Sequence, residues 1–389
     1  MVKTRKVMIV AGEASGDTHA AKLIRAMRDA EPDTEFQFFG GAGPKMRSEG
    51  VDAIVKSDGL SIVGLAEIAF ALPVFLKAFN NLKRAAIERK PDVVILVDFP
   101  DFNLKLAKTL KRKGFRVVYY ISPQLWAWRK YRVRSVKKYV DLMLTILPFE
   151  QDWYARHGVE NVAYVGSPLA REVQVDKPKD EFCRDHDLDS SKPIISLLPG
   201  SRHKEIVRIL PVMLAAASAI SKQNDDVQFL IAMGSNRNIA DVKRVIGDAA
   251  SQGLQLPGTL KVLDAETYDA LNASDTAAVT SGTATLEAGI VGTPMVVVYK
   301  TSALNYKLFE PMIDVPHYGL INLIAGKRVA RELIQGEFTS QSLSDELLRL
   351  LKPETNAAVR ADLKIAADKL GHGGASKRAA EAILNLIDS

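Results

Sequence analysis

The stretch VILVDFPDFN, Val94–Asn103, sets two carboxylates, Asp98 and Asp101, around a proline where an apolar run leaves what reads as a buried strand. Asp98 is expected at the last strand position, facing the mouth of a ligand site. Partial burial there would bring its pKa toward working pH and make it a general base. Two acids so close also raise a paired-acid glycosidase. However, Asp98 and Asp101 share one turn and cannot easily face each other across a bond. The chemistry is therefore assigned to Asp98, and helix capping to Asp101 or Asn103.

Four further turns carry residues of the right types. In TSGTATLEAG, Thr280–Gly289, a small-residue turn at Ser281, Gly282 and Thr283 opens a helix. The unpaired amides and dipole of a helix start suit a phosphate, and Glu287 one turn on could hold a ribose diol. A plain helix cap with a solvated Glu287 explains the same letters. In LPGSRHKE, Leu198–Glu205, Pro199 and Gly200 make a turn, Ser201 caps a helix, and Arg202 offers a planar fork of donors at its mouth. AGEASGD, Ala11–Asp17, has neither the glycine spacing of a dinucleotide fold nor the lysine of a P-loop. Glu13, Ser15 and Asp17 in this tight polar turn could bind the hydroxyls of a sugar, with Gly16 counted among the binding residues; Asp17 reads equally as a helix cap, the favoured reading for that residue. SPQLWAWRKYRVRSVKK, Ser122–Lys138, sets tryptophans beside Arg129, Arg132 and Arg134, a pattern for stacking on a sugar or base and meeting a phosphate.

These turns must be positioned by something, and the chain supplies a repeating rhythm. KVMIVA, EFQFFG, DVVILVD, RVVYYIS, DLMLTIL and NVAYVGSP are apolar runs separated by amphipathic stretches, the pattern of a parallel sheet covered on both faces. The rhythm restarts after the polar segment REVQVDKPKDEFCRDHDLDSSKP, read as a linker with a short helix, and continues through IISLLPG, VQFLIAMG, TLKVLD, TAAVTSG and PMVVVYK. The expected fold is α/β, with two doubly wound halves facing across a cleft. The first covers residues 1–172 and the second 190–370; the sequence is helical from about Ser340, and a last helix, 373–389, is a candidate to complete the first half. Ligands of such sheets bind beyond the carboxyl ends of the strands, where all five turns fall.

The 389 residues are 47% hydrophobic and 25% charged, ordinary globular values for two or three domains. The single Cys183 excludes an internal disulfide and argues for a reducing compartment. The start, MVKTRKVMIVAGEASGD, reads as a first strand rather than a signal peptide. A net charge of +6 suits anionic lipid or phosphorylated substrates; no nucleic-acid-binding pattern accompanies it. Nor does any cysteine and histidine spacing suggest a metal site. The run Leu60–Phe79 is long and apolar, but Glu67, Pro73 and Lys77 interrupt it. It reads either as a core helix or as a segment lying in a lipid interface.

AGEASGD, GGAGPKMRSEG, PDVVILVDFPDFN, YYISPQLWAWR, LPFE, LLPGSR, TSGTATLE and LINLIAG, in this order over most of residues 6–326, resemble the lipid-A-disaccharide synthase family. That resemblance implies an inverting glycosyltransferase of the GT-B, two-Rossmann type. It implies UDP-2,3-diacylglucosamine as donor, 2,3-diacylglucosamine 1-phosphate as acceptor, and a β-1,6 disaccharide phosphate plus UDP as products. It further implies that Asp98 takes the proton of the acceptor hydroxyl. Arg202 and the helix beginning at Ser281 would stabilise the leaving UDP with no metal and no cofactor, and Glu287 would hold the ribose. Asn322 in LINLIAG matches a family position near the nucleotide or reacting sugar, and the looser stretch IAMGSNRN puts Gly234 among the nucleotide contacts. Acylated substrates favour the interfacial reading of residues 60–79, with Val63, Leu65, Ile68, Phe70, Leu72 and Phe75 as lipid contacts on the cytoplasmic face of a Gram-negative inner membrane. The expected state is monomer or homodimer. The rival readings are a UDP-sugar 2-epimerase, a glucosaminyl transferase of the same fold, and a non-catalytic nucleotide-sugar or phospholipid binder.

Overall fold

The computed structural model describes residues 3–59, 68–234, 238–302, 306, 315–371 and 373–389. The chain forms two compact units, Met1–Pro168 with Gly373–Ser389, and Leu169–His372.

The first unit is built on seven parallel strands, β1 (Lys3–Ala11), β2 (Thr34–Ala42), β3 (Asp52–Lys56), β4 (Val93–Val97), β5 (Val117–Tyr120), β6 (Leu142–Thr145) and β7 (Val162–Tyr164). Their order is β3-β2-β1-β4-β5-β6-β7. Every residue of VVILV in β4 and VVYY in β5 is buried, as a strand covered on both faces requires. Helix α1 (Ala14–Ala30) contributes Leu23, Ile24 and Met27 to this core. The C-terminal helix Ala375–Asp388 adds Ala379, Ala380, Ile383 and Leu384. Burying Ile383 and Leu384 is worth about 1.5–3 kcal/mol each. The last carbonyls of that helix are also gripped: Arg116 donates to Leu386 and Ile387.

The second unit has six parallel strands, β8 (Ile194–Leu198), β9 (Gln228–Met233), β10 (Leu260–Asp264), β11 (Thr276–Thr280), β12 (Met295–Tyr299) and β13 (Arg331–Ile334), in the order β10-β9-β8-β11-β12-β13. The segment read as a linker is part of this unit. Phe182 and Cys183 are buried, and Asp269 accepts the amides of Asp176 and Lys177. The short helix expected in it is present at Lys179–Asp185 and presents one apolar edge, Phe182 and Cys183, to the unit.

Strands β3 and β13 were not anticipated. Both are edge strands with mixed exposure, so neither shows an apolar run. No described helix is long and apolar enough to cross a membrane.

In each sheet the strand order reverses once. In the first unit the reversal lies between β1 and β4, paired from Val7↔Val93 to Ala11↔Val97. In the second it lies between β8 and β11, paired from Thr276↔Ile195 to Val279↔Leu198. The two chains leaving such a pair diverge to opposite faces and open a crevice at the strand ends.

Candidate functional site

The crevice of the first unit is bounded by Gly12–Glu13 after β1 and Asp98–Phe99 after β4. Asp98 lies one position beyond the strand. It and Phe99 both adopt left-handed backbone, φ 49° and 52°, costly for residues with a Cβ. Three hydrogen bonds hold the reversal: Asp98 N–H donates to the Tyr120 carbonyl (3.0 Å), and the Asp98 carbonyl accepts from Tyr119 Oη (2.6 Å) and Asn103 Nδ2 (2.8 Å). The kink turns Phe99 back over Gly12, where any Cβ would fall inside the ring. Glycine is required there for close approach.

Burial, followed by the charge of Glu13, pushes the Asp98 carboxyl up to about 6. A carboxylate tuned to that value is ionised near neutrality and still basic enough to take a proton. Aromatic rings flank it. Helix α3 (Ile68–Arg89) brings Phe75 against Phe99 and Phe102, and Phe79 against Phe102, with centroids 5.8–6.3 Å apart, and Phe99 stacks on Phe102 at 5.5 Å. Val74 and Leu76 on α3 are exposed. Val63 and Leu65 lie outside the described residues, as do the side chains of Ile68, Phe70 and Leu72.

The capping assignments are corrected. Helix α4 (Pro100–Lys111) starts on a proline, whose missing N–H costs nothing there, and no side chain caps it. Asp101, in its first turn, pairs with Arg129 and Arg132. Asn103 faces backward and binds the Val97 and Asp98 carbonyls. Asp17 does cap a helix, but a neighbouring one: its carboxylate accepts the Lys45 and Met46 amides at the start of helix α2 (Pro44–Ser48). Glu13 and Ser15 are exposed at the start of α1, whereas Gly16 is buried against Ala11 and Val97 and presents little surface to a ligand. Of the tryptophans, Trp126 is core; its indole N–H donates to buried Glu150 (3.1 Å), whose carboxyl burial raises to about 7. Trp128 is 40% exposed, with the Arg129 guanidinium 4.2 Å from its ring centroid.

The crevice of the second unit is bounded by Pro199–Arg202 after β8 and Ser281–Thr283 after β11, tied together where Thr280 Oγ1 donates to the Leu198 carbonyl (2.9 Å). Ser201 is not the cap of the helix His203–Gln223; Glu205 reaches back to the Ser201 and Arg202 amides and to the Arg202 guanidinium. The Arg202 side chain remains 83% exposed. Ser201 is exposed, and its carbonyl accepts from Asn238. Gly234, at the end of β9, is exposed; residues 235–237 lie outside the described set.

Ser281 spends its hydroxyl on the Tyr318 carbonyl (2.8 Å) and its amide on Val298, so it shapes the turn. Gly282, at φ 146°, and exposed Thr283 lead into the helix Ala284–Val291; their carbonyls take the Thr285, Leu286 and Glu287 amides, so the donors this turn offers are the amides before them, Gly282 to Ala284. Glu287 is half-buried one turn in, and burial together with the charge of Glu172 raises its carboxyl. Tyr268 stands beside both acids and is pushed up to about 12, mainly by burial. Glu172 and Tyr268 were not singled out from sequence; each is a lone residue in an unmarked helix.

Asn322 departs from the expectation of a ligand contact. It is wholly buried. Its Nδ2 donates to the Ala330 carbonyl and to Glu332, and its Oδ1 accepts the Val329 and Ala330 amides. Glu332 in turn accepts the Gly319 amide (2.8 Å). Asn322 therefore fixes the loop that Ser281 leans on, and has no bonding capacity left for a substrate.

Comparison with known proteins converges on one family. Residues 7–386 match the family model described as lipid-A-disaccharide synthetase. The chain is 43% identical to the lipid-A-disaccharide synthase of Syntrophus aciditrophicus over 99% of both chains. It is 38% identical to that of Geobacter sulfurreducens, over 99% of this chain and 98% of the relative. Among solved structures, it is similar to a UDP-GlcNAc 2-epimerase from Neisseria meningitidis bound to UDP-GlcNAc (TM-score 0.63, 12% identity, 98% of this chain and 100% of that one). It is also similar to the glycotransferase of kitacinnamycin (TM-score 0.63, 14% identity, 98% and 99%). At those identities the structures report the two-Rossmann GT-B fold alone. The near-full-length match decides among the enzymes sharing that fold: the chain belongs to the lipid-A-disaccharide synthase family of glycosyltransferases.

Proposed function

We propose that the chain transfers 2,3-diacylglucosamine from UDP to the 6-hydroxyl of 2,3-diacylglucosamine 1-phosphate, with inversion. Asp98 accepts the hydroxyl proton as the oxygen attacks the anomeric carbon. The bond to UDP breaks, and the negative charge developing on the diphosphate is met by the Gly282–Thr283 amides, the start of the helix Ala284–Val291, and Arg202. Glu287 takes the ribose hydroxyls. Glu13 tunes Asp98, and Ser15 beside it is offered to the acceptor. Ser201, Ser281 and Gly234 shape or border the nucleotide turn. No metal is needed, because fixed dipoles and a guanidinium supply the compensating charge.

The observation that carries this reading is the Asp98 carboxyl, raised to about 6 on a kinked turn at a strand-order reversal and flanked by phenyl rings that suit an acylated sugar. The exposed Val74 and Leu76, with Phe75 between them, support interfacial attachment of α3 to anionic lipid on the cytoplasmic side. The test is UDP release with donor alone and with donor plus acceptor. Acceptor-dependent UDP release, with a disaccharide product, is expected. UDP-sugar turnover that ignores the acceptor would identify an epimerase, and tight binding with no UDP release a carrier.

A further inference from the structure

The guanidiniums of Arg129 and Arg132 converge on Asp101, one turn of chain beyond Asp98. Arg129 Nη1 is 2.9 Å from Asp101 Oδ1, and Arg132 Nη2 bonds the same oxygen. Burial pushes the Asp101 carboxyl up, but the two cations outweigh it and hold it below its ordinary value. One carboxylate against two guanidiniums leaves a net positive charge. Each guanidinium gives only one of its amino groups to Asp101, so donors remain on both. Arg129 sits in left-handed backbone, φ 55°, and stacks on Trp128. A partly exposed ion pair is a weak return for that strain. The charges of Arg132 and Asp98 both act on the buried Tyr119 hydroxyl, which donates to the Asp98 carbonyl, and this places Arg132 in the neighbourhood of the base.

We infer that Arg129 and Arg132, pinned side by side by Asp101, form an anion subsite that reads a phosphate monoester on the acceptor. This rests on Asp98 being the base. A sugar whose hydroxyl meets Asp98 then directs a group from the far side of its ring toward the guanidiniums, while acyl chains lie on the partly exposed rings of Phe75 and Phe99. Paired guanidiniums match phosphate oxygens better than ammonium groups do. The site would select a phosphorylated acceptor over its free anomeric alcohol.

The test compares two short-acyl, detergent-dispersed acceptors, one with and one without the anomeric phosphate, on wild type, Arg129→Gln, Arg132→Gln and the double variant. Wild type should prefer the phosphorylated acceptor by about 10–100-fold in kcat/KM, the worth of a charge-assisted contact. Each single variant should lose much of that preference and the double variant nearly all of it. The donor KM and the rate with the unphosphorylated acceptor should stay within about threefold. Equal turnover of both acceptors by wild type would overturn the inference, as would variants that slow both acceptors alike. A third arm uses vesicles with and without anionic lipid. A deficit that appears only on anionic vesicles, and vanishes with dispersed acceptor, would assign the arginines to the lipid surface and overturn the subsite. Asp98→Asn is run in parallel: normal turnover by that variant refutes the base assignment, while the acceptor preference still judges the arginines.

Discussion

Replacing Asp98 by Asn isolates the proposed proton transfer. The change is nearly isosteric, and asparagine tolerates the left-handed backbone that this position needs, so the turn should survive. The lost function is the base. Positioned general bases contribute about 10²–10⁴-fold, so kcat/KM should fall by that factor, while UDP affinity, which the proposal assigns to the second unit, should stay unchanged. The pH profile tests the mechanism more sharply. With a carboxyl pKa of about 6, wild-type Asp98 is about nine-tenths ionised near pH 7 and about one-tenth near pH 5. The active form is the ionised one. The rate should therefore rise about tenfold over those two pH units and level off above them. Glu13→Gln removes a charge that raises the Asp98 pKa, so the acidic limb should move to lower pH without vanishing, because burial is the larger cause. The assay is initial-rate UDP release at saturating donor across that range. Asp98→Asn within about threefold of wild type, or an acidic limb that Glu13→Gln does not move, would refute the reasoning.

Four further outcomes are expected. Gly12→Ala must displace the Phe99 ring, so it should lower stability by about 1–3 kcal/mol in urea unfolding and depress turnover with it. Arg202→Ala should reduce kcat by about 10²–10³ and leave stability almost unchanged, as its side chain is 83% exposed; chelation with EDTA should alter neither enzyme. Asn322→Ala strands two buried amides, a carbonyl and the Glu332 carboxylate, and should cost about 3 kcal/mol or more; a variant as stable as wild type that fails to bind UDP would restore a direct ligand role. Val74→Ser with Leu76→Ser should release the protein from anionic vesicles with UDP affinity intact, and unchanged vesicle binding would end the interfacial reading of α3.

The central strands were readable because burial on both faces demands unbroken apolar runs, as in VVILV and IISLL. Edge strands β3 and β13 face no such demand and escaped notice. Residues at strand ends were likewise readable as site candidates, since a parallel sheet presents its carboxyl ends to ligands. What those side chains bond to was not readable. Asp17 looks like the cap of its own helix and caps another 28 positions away. Asn322 looks like a substrate amide and is consumed by Ala330 and Glu332. Ser281 looks like a phosphate ligand and is spent on Tyr318. Each partner is brought in by long-range packing, which local spacing does not encode. The Glu13 charge beside Asp98 is of the same kind, because it depends on β1 lying next to β4.

The kink after β4 links the features that make Asp98 a candidate base. A strand continuing past Val97 would alternate its side chains across the sheet. Two consecutive left-handed residues, at about 1–3 kcal/mol each, break that alternation. They persist because Tyr119, Tyr120 and Asn103 hold the backbone on three sides. The reversal folds Phe99 onto Gly12 and sets its ring among Phe75 and Phe102, creating apolar surface beside the carboxylate. It also keeps Asp98 half-buried and near Glu13, the two causes of its raised pKa. Backbone strain, aromatic surface and proton affinity are therefore consequences of one turn. Its position at the reversal of strand order follows from the same physics: only there do the chain segments leaving adjacent strands part, leaving space for a substrate between β1 and β4.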